Sequence, residues 1–180
     1  PVPGAERRPP LPPGHPEEST LARRARILRA LWDASPDAPD LDGPFGRPEV
    51  GDGCTACGAC AGVCPTGALE ADPNTPELRV TEVRCVGCGL CAAACPEAAL
   101  GLRRGLRWAR ESFAPRVLVR ADAHACPACG RVFATREAIE AVARRLRRRG
   151  VGDPELLALC PDCRAVRALA EGPRPGEAGS

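Results

Sequence analysis

One cysteine pattern, written twice, constrains this chain more than any other feature. Residues 54–69 read CTACGACAGVCPTGAL and residues 85–100 read CVGCGLCAAACPEAAL. Four cysteines, a glycine, a proline and the closing Ala-Leu coincide at a period of 31. Such a chain folds as a duplicated unit whose halves are related by an approximate two-fold. The rest of the composition makes the cysteines indispensable. Hydrophobic residues are 44% of the 180, but much of that is Ala and Cys, and aromatics are 3%. A large apolar core cannot be filled from this set, so the 12 cysteines must staple the fold, as disulfides or as metal ligands.

Compartment separates those two alternatives. No apolar run approaches the roughly 18 residues of a membrane span. The opening PVPGAERRPPLPPG lacks the apolar middle of a secretory signal, and Arg23-Arg24 opens no twin-arginine leader. The expected location is therefore the reducing cytoplasm, where clustered cysteines read as metal ligands. All 25 basic residues are Arg, and Lys, Gln, Met and Tyr are absent. A GC-rich codon bias accounts for that without selection at each site.

Periodicity and breakers divide the chain. Residues 1–18 are Pro-rich and aperiodic and read as a disordered arm. From Ser19-Thr20, an N-cap, Leu21, Ala25, Leu28, Leu31 and Trp32 recur at helical spacing. The result is an amphipathic docking helix over 19–33, too short to stand unless its stripe is covered. A Pro/Gly/Asp linker is expected over 34–50 and the doubled cysteine domain over 51–103. Inside that domain, extended pieces at 68–71 and 77–81 flank a turn over 72–74. Residues 104–115 read as a connector, with a short helix expected over 103–113. A C-terminal module follows over 116–171, opening on the strand RVLVR (116–120), with Val132 and Phe133 returning as its partner. Thr135 caps a helix running to about Arg149, with Ala138, Ile139, Val142, Ala143 and Leu146 on one side. Gly150, Gly152 and Pro154 break it, RAVRALAE forms a final helix, and 172–180 is a tail.

Each repeat is C-x2-C-x2-C-x3-C-P, the known bacterial iron–sulfur signature. Two-residue spacings let a tight loop aim three thiolates at three corners of a cubane. The x3 step starts a helical turn that points the fourth away. Two facing repeats can exchange fourth cysteines, so the expected sets are Cys54, Cys57, Cys60 with Cys95, and Cys85, Cys88, Cys91 with Cys64. Gly58, Ala59, Gly62, Gly87, Gly89, Ala92, Ala93 and Ala94 are small enough for backbone amides to approach the sulfurs. Pro65 and Pro96 turn the chain after each fourth cysteine.

In these residues the segment resembles the bacterial-type two-cluster ferredoxins over about 51–103, under a third of the chain. The resemblance implies an α+β fold with a pseudo-two-fold βαβ iron–sulfur domain, two 4Fe-4S clusters and one-electron transfer at low potential. Four disulfides, zinc in the same sites, or one degenerate lobe are the competing readings; neither repeat departs from the pattern.

Cys126, Cys129, Cys160 and Cys163 form a second constellation, C-x2-C…C-x2-C with 30 residues between the pairs. Two such knuckles supply the tetrahedral thiolate set that suits structural zinc. With a hairpin at the first knuckle and a helix at the second, the segment looks like a ribbon or treble-clef finger. A rubredoxin-type iron is the rival, though the aromatic core of that family is missing. His124 is expected beside this site and not in it; His15 falls in the arm. No His, Asp or Ser arrangement supplies a nucleophile or base, so no catalytic residue is expected.

These observations lead to an electron carrier, free or as a small subunit of a larger oxidoreductase, with a protein redox partner. A redox-sensing regulator that binds nucleic acid is the alternative from another class, and a maturation factor for a metalloenzyme is a third. The run Arg144, Arg145, Arg147, Arg148, Arg149 serves as a solvated face, an acidic-partner patch or a nucleic-acid surface; scarce aromatics count against the last. The formal charge of +2 divides into −1 over residues 1–50, −4 over 51–102 and +7 over 103–180. Bound clusters and a zinc–thiolate site would each add about −2, leaving a strongly dipolar molecule.

Overall fold

The computed structural model of the chain describes residues 19–72, 75–151 and 153–171. The expected arm (1–18) and tail (172–180), residues 73 and 74 of the turn, and Gly152 lie outside the described residues. The architecture is mixed helix and sheet, built around three small cores.

Helix α1 (Thr20–Ala34) begins where Ser19 accepts the Ala22 N–H at 3.2 Å. Its apolar stripe is consumed inside the chain. Leu28 is buried against Val83, Leu106 and Trp108, with Ala25, Leu31, Trp32, Phe45 and Phe113 closing the cluster. Trp108 donates its indole N–H to the Ser35 carbonyl at 2.7 Å, pinning the helix C-terminus. The helix therefore docks on its own chain, which covers the stripe.

The stretch expected to be a linker is also structured. Residues 41–50 form strand β1 (Leu41–Val50), antiparallel to β4 (Leu100–Leu106), with Val50 opposite Leu100 and Pro48 opposite Leu102. Pro44 and Pro48 are tolerated because β1 has a partner on one side alone. The register shifts between Leu41 and Gly46, which bulges the chain at Asp42–Phe45.

Between these strands the backbone repeats with the sequence. Short helices α2 (Ala59–Gly62) and α3 (Leu90–Ala93) start after left-handed Gly58 (φ 77°) and Gly89 (φ 79°). Left-handed residues recur at Ala56 and Gly87 and at Gly67 and Ala98, each pair 31 apart. Loop hydrogen bonds recur as well: Cys54 N–H to Gly51 O matches Cys85 N–H to Glu82 O. Strand β2 (Leu69–Asp72) follows the first unit and pairs with β3 (Glu77–Val80), which leads into the second. β4 follows the second unit and pairs with β1, which leads into the first. Each unit is thus closed by a strand from the other, over a core of Cys60, Leu69, Leu78, Val80, Cys91 and Leu100.

Two boundaries move. Residues 103–113 are not one helix: β4 continues to Leu106, and a 3-10 turn spans Arg110–Phe113. Gly105 (φ 94°) lets β4 pass Leu41, whose carbonyl would lie 3.0 Å from a Cβ there. β5 (Arg116–Arg120) joins β3 in the three-stranded sheet, so RVLVR belongs to the cysteine-repeat domain and not to the C-terminal hairpin.

That hairpin is β6 (Ala123–Ala125) with β7 (Val132–Thr135). Helix α4 (Arg136–Arg148) follows, N-capped by Thr135. Ala141 is its buried residue, and Val142 faces solvent, against expectation. Pro154 opens a further helix, α5 (Pro154–Ala158), where a break alone was expected, because proline fits the first helical turn. α6 (Pro161–Glu171) completes the described chain. No helix among the described residues is long and apolar enough to cross a membrane.

Candidate metal centres

The repeats bring eight thiols around two small voids. One is lined by Cys54, Cys57, Cys60 and Cys95 under Leu78 and Leu100. The other is lined by Cys64, Cys85, Cys88 and Cys91 under Leu69 and Leu102. In each case three thiols come from one repeat and the fourth from its partner, because Cys64 and Cys95 follow the short helices and lie beyond their own loop.

The spacing of the thiols discriminates between occupants. Among the described residues, one group of metal-binding side chains has all its ligand atoms within 4.8 Å of one another, and it is not in either void. Eight thiols held further apart than a single ion allows fit a multinuclear cluster.

Backbone N–H groups point at the sulfurs. Ala56 donates to Cys54 Sγ at 3.4 Å and Ala99 to Cys95 Sγ at 3.3 Å. Burial raises Cys54, Cys60, Cys85 and Cys91 above the ordinary thiol value, Cys60 to about 11. Burial also opposes ionisation of Cys64, yet the Leu69 N–H and the Thr66 hydroxyl outweigh it and bring that thiol down. Thiols this costly to ionise in a dry pocket need a cationic centre to compensate them. Cys60 and Cys91 are buried, and the charge of Cys91 helps to raise Cys60, whereas Cys57 and Cys88 are exposed.

The compact group is Cys126, Cys129, Cys160 and Cys163. The hairpin carries the first pair: Gly130 (φ 74°) donates to Cys126 O at 2.8 Å and closes the knuckle. The N-terminus of α6 carries the second pair, and Arg164 fastens it by donating to the carbonyls of Leu156, Leu157 and Leu159. The Cys160, Cys129 and Ala128 N–H groups hold Cys126 down to about 6, while neighbouring Cys160 and Cys129 push Cys163 up to about 12. Four convergent sulfurs fit one tetrahedral thiophilic ion. His124 stands outside the group, with Nε2 3.0 Å from Ala158 O and its ring edge-on to Phe133.

Comparison with known families bears on the first eight cysteines. Residues 53–99 match the 4Fe-4S dicluster domain. The match covers about a quarter of the chain. No curated protein matches it. The dicluster match supports an iron–sulfur electron-transfer protein, and a domain of this type implies a redox partner protein.

Several contacts around the dicluster domain carried no sequence signal. Arg24 of α1 donates to Cys85 O at 3.1 Å and stacks over Phe45, 4.3 Å from the ring centre. Glu82 is buried, 2% exposed, and gathers Arg116 (2.6 Å), Arg107 (3.4 Å) and Ser112 (3.2 Å). Thr135 and Arg145 reach across from the C-terminal module to Thr55, Pro96 and Glu97. Such contacts depend on tertiary approach, which no local pattern encodes.

Proposed function

We propose that the chain is a ferredoxin-type electron relay of the bacterial two-cluster kind, with a pseudo-two-fold βαβ domain and a zinc-stabilised C-terminal module. Cys54, Cys57, Cys60 and Cys95 would hold one 4Fe-4S cluster, and Cys64, Cys85, Cys88 and Cys91 the other. The observation that carries this reading is the lining of the two voids, each by three thiols of one repeat and a fourth from its partner. When bound, such clusters supply reversible one-electron chemistry.

The chain's own residues organise that chemistry. Cys60 of one set and Cys91 of the other share one apolar core, so an electron crosses without passing through water. Exposed Cys57 and Cys88 are the outer ends, where a partner's cofactor can approach. Leu78, Leu100, Leu69 and Leu102 line the voids and keep the sulfurs dry. Cys126, Cys129, Cys160 and Cys163 hold zinc and do no redox work. Elements outside the dicluster domain favour a small subunit of a larger oxidoreductase over a free carrier, since a free carrier needs none of them.

Metal analysis with EPR on anaerobically purified protein tests this. About eight iron and one zinc per chain, with signals from two interacting cubanes, is the expected result. About nine iron without zinc would convert the C-terminal site to a rubredoxin-like centre. About four iron would remove one cluster and the relay with it.

A second reading has one supporting observation. Arg147, Arg148 and Arg149 at the end of α4 are exposed and make no ion pair among the described residues. Salt-dependent binding to DNA or RNA would favour a redox-sensing regulator; no binding at low salt removes it.

A further inference from the structure

The two ends of the iron–sulfur domain are near-repeats of one another, but the C-terminal module is built against one of them. Thr135, 3% exposed, donates its hydroxyl to the Thr55 carbonyl at 2.6 Å across 80 residues of sequence. The same oxygen accepts the Ala138 N–H at 3.1 Å. A hydroxyl has one proton, and the amide must donate, so the Thr135 proton is committed to Thr55. Elsewhere in the lining of the same void, Arg145 donates to Pro96 O at 2.6 Å and to Glu97 Oε1 at 2.8 Å, just past Cys95.

Thr55 C=O and Ala56 N–H belong to one planar peptide and point in opposite directions. Holding the carbonyl on Thr135 therefore aims the N–H at Cys54 Sγ, which it reaches at 3.4 Å. The peptide needs holding. Ala56 has φ 47°, a left-handed conformation costly for a residue with a Cβ. The corresponding residue of the second repeat is Gly87, which adopts φ 66° freely.

Resting on the two-cluster reading above, we infer that Thr135 is a positioning residue for the first centre: by orienting the Thr55–Ala56 peptide, it secures the N–H···S bond to Cys54 and raises the reduction potential there. Hydrogen bonds to ligating sulfur favour the reduced, more negative state. A carbonyl already accepting a bond also polarises the N–H of its peptide, which strengthens the donor. The C-terminal module thereby sets a difference between two otherwise equivalent centres, giving the relay a direction.

The experiment is an EPR-monitored redox titration of anaerobic holoprotein, paired with amide exchange by mass spectrometry. Thr135→Val removes the hydroxyl at nearly constant shape. It is expected to lower one couple by about threefold in its equilibrium constant, ~28 mV at 59 mV per tenfold for one electron, and to leave the other in place. Exchange across residues 54–57 should quicken, and Thr135→Ser should restore both readouts. Arg144→Gly weakens α4 by about 1 kcal/mol without touching Thr55, and should move neither couple. Unchanged couples in Thr135→Val, or an equal shift in Arg144→Gly, would overturn the inference. A parent with no cluster signal would instead sink the two-cluster reading, and exchange across 54–57 then decides the positioning by itself.

Discussion

Gly46 lies against Cys85 with no space for a side chain. A Cβ on Gly46 would stand 3.0 Å from the Cys85 sulfur, 3.0 Å from the Gly87 Cα and 2.8 Å from Leu102 Cδ1. The leucine methyl can turn away, but the Gly87 backbone cannot, because a side chain at Gly87 is itself excluded by Phe45 O. Gly46→Ala should push β1 off the Cys85 loop and empty the second void, lowering iron from about eight toward four per chain. Gly62→Ala is the matched control. Its added methyl meets nothing within 4 Å, so full iron is expected. Equal iron in both variants would show that β1 does not shape the site.

Gly46 also shows where the sequence stopped being legible. The eight cysteines, their small neighbours and the turns between them are local features, and the left-handed residues fall where the repeat puts them. β1 was hidden because Gly43, Pro44, Gly46 and Pro48 give it the composition of a linker. What makes it a strand is the second repeat's closing strand, half the domain away. Likewise the stripe of α1 announces a buried face, but nothing local says that Val83, Leu106 and Trp108 cover it. Thr135 is readable as an N-cap; its bond to Thr55 is not. The four C-terminal thiols were legible from spacing alone, since two knuckles have few ways to converge.

Buried Glu82 ties the second cysteine loop to the sheet and to the 3-10 turn before β5. Glu82→Ala removes the acceptor for Arg116, Arg107 and Ser112 together. The arginines are half exposed and can turn to water, whereas Ser112, 1% exposed, is stranded. A loss of roughly 3 kcal/mol is expected, at the upper end for a stranded buried hydroxyl. That corresponds to about 6–12 °C in the thermal midpoint of cluster bleaching at fixed scan rate. A shift within error would mean that Glu82 is dispensable.

Glu77 joins β3 to β5 through Arg120 at 2.6 Å and also accepts from Arg79 at 2.6 Å. Arg120 first, then Arg79, hold its carboxyl below the ordinary 4.5. A carboxyl depressed in the folded state contributes fully above its unfolded value and loses that contribution as pH falls through the folded one. The stabilisation is therefore present at neutral pH and vanishes on acidification below 4.5. Glu77→Gln should melt below the parent at neutral pH, and the gap should close in acid. A gap that stays constant with pH would assign the effect to packing and not to charge.

The C-terminal module has a small core, and an ion on its four thiols would contribute more than that core does. The buried residues of that core are Cys126, Leu159 and Cys160, with Phe133, Leu156 and Cys163 against them, so half of the set are thiols. Burying one leucine contributes about 1.5–3 kcal/mol, while a structural zinc–thiolate site contributes about 10–16 kcal/mol of apparent binding energy. Without an ion, four sulfurs converge with no cation between them. A zinc-selective chelator, or Cys163→Ser, should therefore melt α4, α5 and α6, seen as a loss of helical circular dichroism. The iron should remain, because the lobe's own strands and α1 close around it independently. Loss of iron in step with zinc would show instead that the contacts of Thr135 and Arg145 hold the first cluster in place. Retained helicity would show that α4 stands on the iron–sulfur lobe without a metal of its own.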